Sequence, residues 1–359
     1  MLCRWGGAAV LFASVTVLSA SEPVQAAYEV RHQLLVNVPS GTRHLRVWFP
    51  MPASGPDQTI EQFRVLAPGP HRRVLDDFGN RQVYFEVQAP DQETYLITQT
   101  YRLLRTEQIT GLHPEFTRAL NEEEHALLAP YLASSPSIVV DDKMRQLACE
   151  IVGKEENITL AARKLYTWLL ANAEYWIKYP ERYAPSGVGS AEYCLDTGAG
   201  DGVDLHTLWV SLARAAGIPS RMVFGVLLKK DLDRTEVDQG SRCWAEFYVP
   251  GYGWVPMDVV MGDLFADPFP LHDRNAGQVR LATVDGYRGP SPEMVAYYLG
   301  NLDARRLVLS RGRDLLLYPP PAAGRINYLA KAHVEADGKV LKEKASWTRT
   351  LTYRQRKSK

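Results

Sequence analysis

Hydrophobic and polar residues alternate along the first third of the chain, beginning near residue 28. Four runs, at 28–38, 44–49, 82–87 and 93–103, alternate in this way or are rich in β-branched and aromatic residues. Both features are typical of strands. Proline and glycine pairs such as Gly55-Pro56 interrupt the runs and indicate turns. The pattern predicts a small antiparallel β-sandwich over residues 27–110.

The spacing of hydrophobic residues becomes helical over residues 116–178, where Thr159 is the predicted N-cap of a helix. Residues 179–202 are rich in Pro, Gly and Ser and predict a loop. Residues 203–216 then form a predicted amphipathic helix, because their apolar side chains recur at helical spacing. The sequence Gly217-Ile218-Pro219 ends that helix.

The second half of the chain returns to strand patterns. Further strands are predicted at 222–228, 243–249, 254–257, 326–335 and 340–353. A four-residue turn over 250–253 would pair Val249 with Trp254 and place Asp258 opposite Ala245. The last two strands would pair as a hairpin around residues 336–338.

The first 26 residues have the pattern of a signal peptide. Arg4 supplies a positive charge, residues 8–20 are apolar, and Val24-Gln25-Ala26 places small or branched residues at the cleavage positions. We predict cleavage after Ala26 and a periplasmic or secreted protein; an uncleaved membrane anchor is the alternative. No apolar run reaches the roughly 18 residues of a membrane-spanning helix, so no span is predicted after cleavage.

The amino-acid composition argues against several classes of partner and binding site. The chain has 359 residues, with 41 Lys plus Arg and 41 Asp plus Glu, so its net charge is zero and no nucleic-acid partner is predicted. Three cysteines follow the signal peptide, Cys149, Cys194 and Cys243, too few for a disulfide framework. The acidic residues near position 200 do not match a calcium loop, and the histidines are scattered. No metal and no cofactor are predicted.

Two long motifs then indicate a family. The sequences GDGVDLHTLW at 200–209, leading to RAAGIPSR at 214–221, and CWAEFYVPGYGWVPMD at 243–258 resemble the core of the transglutaminase-like superfamily. The resemblance covers about residues 140–265. It implies an α+β fold: a papain-like transglutaminase core over 111–265, with a helix packed on an antiparallel sheet. An N-terminal β-sandwich-like domain over 27–110 would precede this core, and a small β-rich segment with a basic tail over 266–359 would follow it.

The resemblance also assigns three catalytic positions, and two of them lack the family's functional group. The nucleophilic cysteine position is occupied by Gly202, and the histidine position by Arg242, whereas the aspartate is present as Asp258. Glycine has no nucleophile, and arginine stays protonated and cannot act as a base. The family's thiol mechanism therefore cannot operate from these positions. Cys194 and Cys243 are the alternative nucleophiles, and His206 is interpreted as a packed or surface side chain.

The leading hypothesis is a non-catalytic, exported transglutaminase-like protein that binds a peptide, a protein or a cell-wall component in the family cleft. The alternatives are a thiol hydrolase or acyltransferase with a relocated cysteine, and a structural module of a larger assembly. We also predict that Arg242 forms an ion pair with Asp258. The remaining candidates for the lining of the binding cleft are Trp209, Trp244, Tyr252, Trp254 and Asp204.

Overall fold

A computed structural model of the protein describes residues 22–233 and 241–356. The predicted signal peptide lies outside the described residues as far as position 21. Its predicted cleavage site, after Ala26, lies within the first strand, where Ala26 is buried. A cut at that point would leave Ala27 as the first residue of the strand.

The described residues form 17 strands and eight α-helices. The strands are β1 (Gln25–Asn37), β2 (His44–Met51), β3 (Gln58–Leu66), β4 (His71–Leu75), β5 (Arg81–Gln88), β6 (Thr94–Thr106), β7 (Gln108–Ile109), β8 (Glu174–Tyr175), β9 (Ala199–Gly200), β10 (Ser220–Leu227), β11 (Ser241–Val249), β12 (Gly253–Met257), β13 (Asn301–Leu302), β14 (Arg306–Arg311), β15 (His333–Ala336), β16 (Lys339–Val340) and β17 (Trp347–Arg356). The helices are α1 (Glu122–Leu128), α2 (Asp142–Val152), α3 (Ile158–Asn172), α4 (Ala191–Thr197), α5 (Gly202–Ala215), α6 (Val259–Ala266), α7 (Ala276–Ala282) and α8 (Pro292–Tyr297).

Two antiparallel sheets contain the N-terminal strands. Their strand orders are β17-β1-β6-β3 and β16-β15-β2-β5-β4. The four strands predicted from alternation are β1, β2, β5 and β6, and the structure adds β3 and β4. Strict alternation explains the packing of β1: every second residue from Tyr28 to Val36 is buried, including His32, while the odd-numbered residues between them face outward.

The C-terminal strands complete these same two sheets. β17 pairs with β1, and β15 pairs with β2. The turn at residues 336–338 forms as predicted, but β15 continues only into the two-residue strand β16. The predicted long hairpin is therefore wrong. Its two strands belong to different sheets, because each pairs over a longer stretch with an N-terminal strand, β17 with β1 and β15 with β2.

Two local predictions in the helical region are also corrected. α3 is capped by Asn157, whose side chain accepts hydrogen bonds from the Thr159 and Leu160 amides, so the cap lies two residues before the predicted Thr159. Residues 179–202 are not entirely loop, because Ser190 caps α4 by accepting from the Tyr193 amide.

In the middle of the chain, α5 packs against the sheet β12-β11-β10-β14. α5 begins one residue before its predicted start, and Gly217 follows it at a φ of +79°, a conformation that glycine adopts without strain. Trp209 of α5 packs against Phe247 of β11, with ring centroids 5.6 Å apart. Cys243, Ala245 and Phe247 share this helix-facing side of β11.

The β11–β12 turn is one residue shorter than predicted. Val249 pairs with Gly253 and Ala245 pairs with Met257, so the predicted Val249–Trp254 register is wrong. Gly251 and Gly253 have φ values of +91° and +81°, which lets residues 250–252 close the hairpin. Asp258 therefore follows the residue opposite Ala245 and lies at the N-terminus of α6.

No helix among the described residues has both the length and the apolar character needed to cross a lipid bilayer.

Candidate functional site

The N-terminus of α5 forms one wall of the site. Asp201 caps the helix by accepting from the Val203 and Asp204 amides at 2.8 and 3.0 Å, and Asp204 accepts from the Asp201 amide at 2.9 Å. This reciprocal capping box satisfies backbone donors that the helix leaves unpaired. Gly202 is the first helical residue. A Cβ atom at that position would lie 3.4 Å from Cys243 Sγ and 3.6 Å from Val260, so the space for a side chain is present.

Cys243 presents its thiol to this empty position from β11. Its Sγ lies 3.7 Å from Nδ1 of His206, which is one turn into α5, and His206 Nε2 lies 3.5 Å from an oxygen of Asp258. A thiol, an imidazole and a carboxylate thus follow one another in space, in the order of a thiol triad. The elements that carry these groups differ from the family pattern, because here α5 carries the imidazole and β11 carries the thiol.

The hydrogen bonds of His206 fix which ring nitrogen holds the proton. The Val259 amide donates to Nε2 at 3.1 Å, so Nε2 acts as an acceptor and the proton is on Nδ1. Nδ1 then donates to the Gly202 carbonyl at 2.6 Å. Because the lone pair on Nδ1 is absent in this tautomer, the nitrogen that faces the thiol cannot accept its proton. His206 is fully buried, and it ties α5 to the start of α6.

Electrostatics also keep the Cys243 thiol protonated. Burial raises the pKa of Cys243 well above its usual value, and the carboxylates of Asp201 and Asp258 raise it further. The N-terminus of α5 acts in the opposite direction, as helix N-termini do for thiols, but it does not reverse the shift. A nucleophilic thiolate is therefore disfavoured in this environment.

Asp258 is ionised and is held by a backbone amide and a guanidinium. It accepts from the Met261 amide at 3.0 Å as the N-cap of α6, and Arg306 forms an ion pair with its second oxygen at 2.9 Å. Burial raises the pKa of Asp258, but the Arg306 charge and the hydrogen bond from the Met261 amide outweigh burial and lower the pKa to about 2. Arg306 is itself buried and also pairs with Asp303 at 3.0 Å.

Arg306 thus has the role that the sequence analysis gave to Arg242. The predicted Arg242–Asp258 ion pair is wrong for these two described residues, since Asp258 pairs with Arg306 and contacts His206. Arg242 donates to the Ser241 carbonyl at 2.6 Å and lines the cleft. Burial lowers the pKa of its guanidinium, but arginine remains a cation at neutral pH.

The site opens into a cleft of about 540 Å³ that is bounded by α5 and β11 on one side and by residues 328–347 on the other. Cys243 and Gly202 lie in its wall. Its aromatic lining consists of Tyr175, Trp176, Phe224, Tyr328 and Trp347. Phe224 and Tyr328 are stacked with centroids 4.5 Å apart and rings within 11° of parallel. The cleft therefore offers both apolar ring faces and charged groups.

The structure does not bring the other sequence candidates into this cleft. Trp209 is in the core, Trp244 faces the opposite side of its sheet, and Trp254 lies under the guanidinium of Arg221, 3.8 Å from its ring centroid. Tyr252 is in the hairpin turn, where its hydroxyl accepts from the His113 amide. Asp204 is fully buried and accepts from the amides of residues 186, 190 and 201.

Cys194 also lies away from the cleft, buried within α4, and burial raises the pKa of its thiol to about 12. Cys149 is exposed on α2. Sequence analysis missed the lining residues Tyr175, Tyr328 and Trp347, because they come from segments distant in sequence that share no motif.

Comparisons with known proteins agree with this architecture. Residues 145–259 match the family model of the Transglutaminase-like superfamily. An uncharacterised protein of Haemophilus influenzae is 26% identical over 337 residues, which cover 87% of this chain and 86% of the relative. The crystal structure of a candidate cysteine protease from Cytophaga hutchinsonii superposes with a TM-score of 0.57 at 15% identity and covers 94% of each chain.

A second solved structure, the periplasmic domain of TgpA from Pseudomonas aeruginosa, has a TM-score of 0.33 at 14% identity, covering 68% of this chain and 94% of that one. The range matched by the family model includes α5, β11 and β12, and the Cytophaga structure shares the overall fold. Residues 145–259 of this chain are therefore similar to the transglutaminase-like domain that this family model describes.

Proposed function

We propose that this protein is an exported, non-catalytic member of its superfamily, and that its cleft binds a peptide, a protein or a cell-wall component. The observation that carries the proposal is the hydrogen bonding of His206. Both ring nitrogens are engaged by backbone groups, at Gly202 and Val259, so His206 has no free lone pair with which to take a proton from the Cys243 thiol. The binding function rests on the cleft, whose volume and mixed aromatic and charged lining suit a ligand of several residues.

The first prediction concerns thiol reactivity. In the folded protein at neutral pH, iodoacetamide should alkylate the exposed Cys149 at an ordinary rate and Cys243 at least ~10-fold more slowly, since alkylation requires the thiolate. Peptide mapping by mass spectrometry reports both sites in one sample, so Cys149 is an internal control.

A thiol mechanism that uses Cys243 is the second candidate. Cys243 Sγ lies 3.7 Å from His206 Nδ1, and His206 Nε2 lies 3.5 Å from an oxygen of Asp258. Alkylation of Cys243 faster than Cys149, lost on substitution His206→Gln, would favour it over the non-catalytic proposal. Amide hydrolysis or transamidation that disappears in Cys243→Ala and persists in Cys149→Ala would have the same meaning.

The second prediction tests the cleft as the binding site. Ala330→Trp should fill the cleft, because Ala330 is a small, half-buried lining residue. In pull-down experiments with purified peptidoglycan, or with a mixture of tryptic peptides, we expect this variant to bind much less ligand than the wild type does. Ala126→Trp on the exposed face of α1 is the matched control and should bind as wild type. Equal retention by both variants would contradict binding in the cleft.

A further inference from the structure

The outer face of the sheet β17-β1-β6-β3 presents arginines and exposed leucines together. It contains a shallow depression of about 550 Å³ that shares no lining residue with the cleft. We propose that this face docks on an anionic phospholipid bilayer, through arginines at its centre and leucines at its margins. This inference is independent of the proposed function of the cleft.

A β-bulge places one of the arginines on this face. Glu61 pairs with Arg102 and Arg64 pairs with Thr100, so three steps along β3 match two steps along β6. The additional residue reverses the alternation of the strand. As a result Phe63 turns inward and stacks on Tyr101, with centroids 5.8 Å apart, and Arg64 faces solvent.

The sheet register arranges the charged residues in two neighbouring rows. The first row runs Arg354, Glu29, Arg102, Glu61 across the four strands. Its charges alternate in sign, and Arg102 pairs with Glu61 at 3.6 Å while Arg354 pairs with Glu29 at 2.5 Å. This row is largely self-neutralised.

The second row has no acidic residue. It runs Thr352, Arg31, Thr100, Arg64, and neither arginine forms an ion pair with any residue that the structure describes. Both are exposed. Because they are two strands apart, their backbones are separated by about 10 Å, so the two cations can contact different phosphate groups. The row therefore presents two uncompensated positive charges to an approaching anion.

Exposed leucines flank the charged rows on the same face. Leu104 lies on one side, and Leu35, Leu96 and Leu66 lie on the other, with 37, 45 and 73% of their surfaces exposed respectively. Leu35 and Leu96 are directly paired across β1 and β6. Apolar side chains beside exposed cations suit the boundary between headgroups and acyl chains, whereas a soluble anion would use the arginines alone. This combination favours a bilayer as the partner.

Vesicle sedimentation tests the proposal with the full chain. Vesicles of phosphatidylglycerol and phosphatidylcholine should bind the protein, more weakly at high salt, while pure phosphatidylcholine vesicles should not. Arg31→Glu with Arg64→Glu should reduce the partition coefficient by at least ~30-fold, because each basic residue near an anionic surface contributes roughly fivefold. Leu66→Ser with Leu96→Ser should reduce it several-fold without changing the salt dependence.

Matched controls use equally exposed residues elsewhere. Arg163→Glu on α3 and Leu127→Ser on α1, whose side chain is 75% exposed, should bind vesicles as wild type does. The proposal is overturned if neither double variant weakens binding, or if the controls weaken it equally. Heparin, a soluble polyanion, gives a further test. The proposal is also overturned if heparin binds the leucine double variant and the wild type equally and the wild type binds anionic vesicles no more tightly than it binds heparin.

Discussion

Replacing Arg306 with methionine should destabilise the protein by about 3–5 kcal/mol at pH 7, measured as the free energy of unfolding in urea. The change removes the cation that pairs with Asp258 at 2.9 Å and leaves a buried carboxylate with uncompensated charge. Lys143→Met is the matched control, because its ion pair with Asp196 is exposed on both sides. That control should change stability by only ~0–1 kcal/mol.

The same pair predicts a pH dependence with a defined sign. The pKa of Asp258 is lowered to about 2 in the folded protein, against about 3.9 in an unfolded chain. A lowered pKa stabilises the fold above pH ~4, and that contribution is lost as pH falls toward 2. Without Arg306, burial would raise the pKa of Asp258 instead. The stability difference between wild type and Arg306→Met should therefore be largest at neutral pH and shrink below pH 4.

A double variant separates the ion pair from general packing. Asp258→Asn keeps an oxygen that can cap α6, so the combination Asp258→Asn with Arg306→Met removes both charges and preserves the cap. We expect it to recover most of the stability lost in Arg306→Met. Additive losses in the two single variants, with no coupling in the double-mutant cycle, would show that the pair does not hold the site together.

The elements predicted from local patterns are those that depend on local interactions. α5 and β10 were predictable within two residues, since helical spacing and the Gly217 stop are encoded within one short segment. α4 was not, because the glycines and serines around it are typical of loops. Its cap, Ser190, is distinguishable only when the helix that follows it is known.

The partners within the site depend on contacts that no local pattern contains. The hairpin register differs from the prediction by one residue, because both Gly251 and Gly253 permit a tight turn and the sequence does not favour one closure. Arg306 reaches Asp258 from a strand that pairs with β10, far along the chain. The importance of His206 likewise appears only when Gly202, Cys243 and Val259 surround it.

The hypothesis that Gly202 occupies the position of the family's nucleophilic cysteine can be tested by introducing a cysteine there. Gly202→Cys should place its new thiol against Cys243, since a Cβ atom at position 202 lies 3.4 Å from Cys243 Sγ. Oxidised glutathione should then convert the two thiols to a disulfide with loss of both thiol hydrogens, because the separation is within the reach of a Cβ–S–S–Cβ bridge. Gly277→Cys is the matched control: the space around Gly277 is open, and its thiol should stay unpaired in the monomer.

A reactive thiol at position 202 therefore requires the removal of Cys243. In Gly202→Cys with Cys243→Ala, the N-terminus of α5 should lower the pKa of the new thiol, and iodoacetamide should modify it faster than it modifies Cys149. Adding Arg242→His supplies an imidazole at the position that the resemblance assigns to the family's histidine, and should accelerate alkylation further near neutral pH. Intact mass and peptide mapping measure both the disulfide and the alkylation. If Gly202→Cys forms no disulfide and its thiol reacts no faster than Cys149 once Cys243 is removed, position 202 does not face the thiol as described.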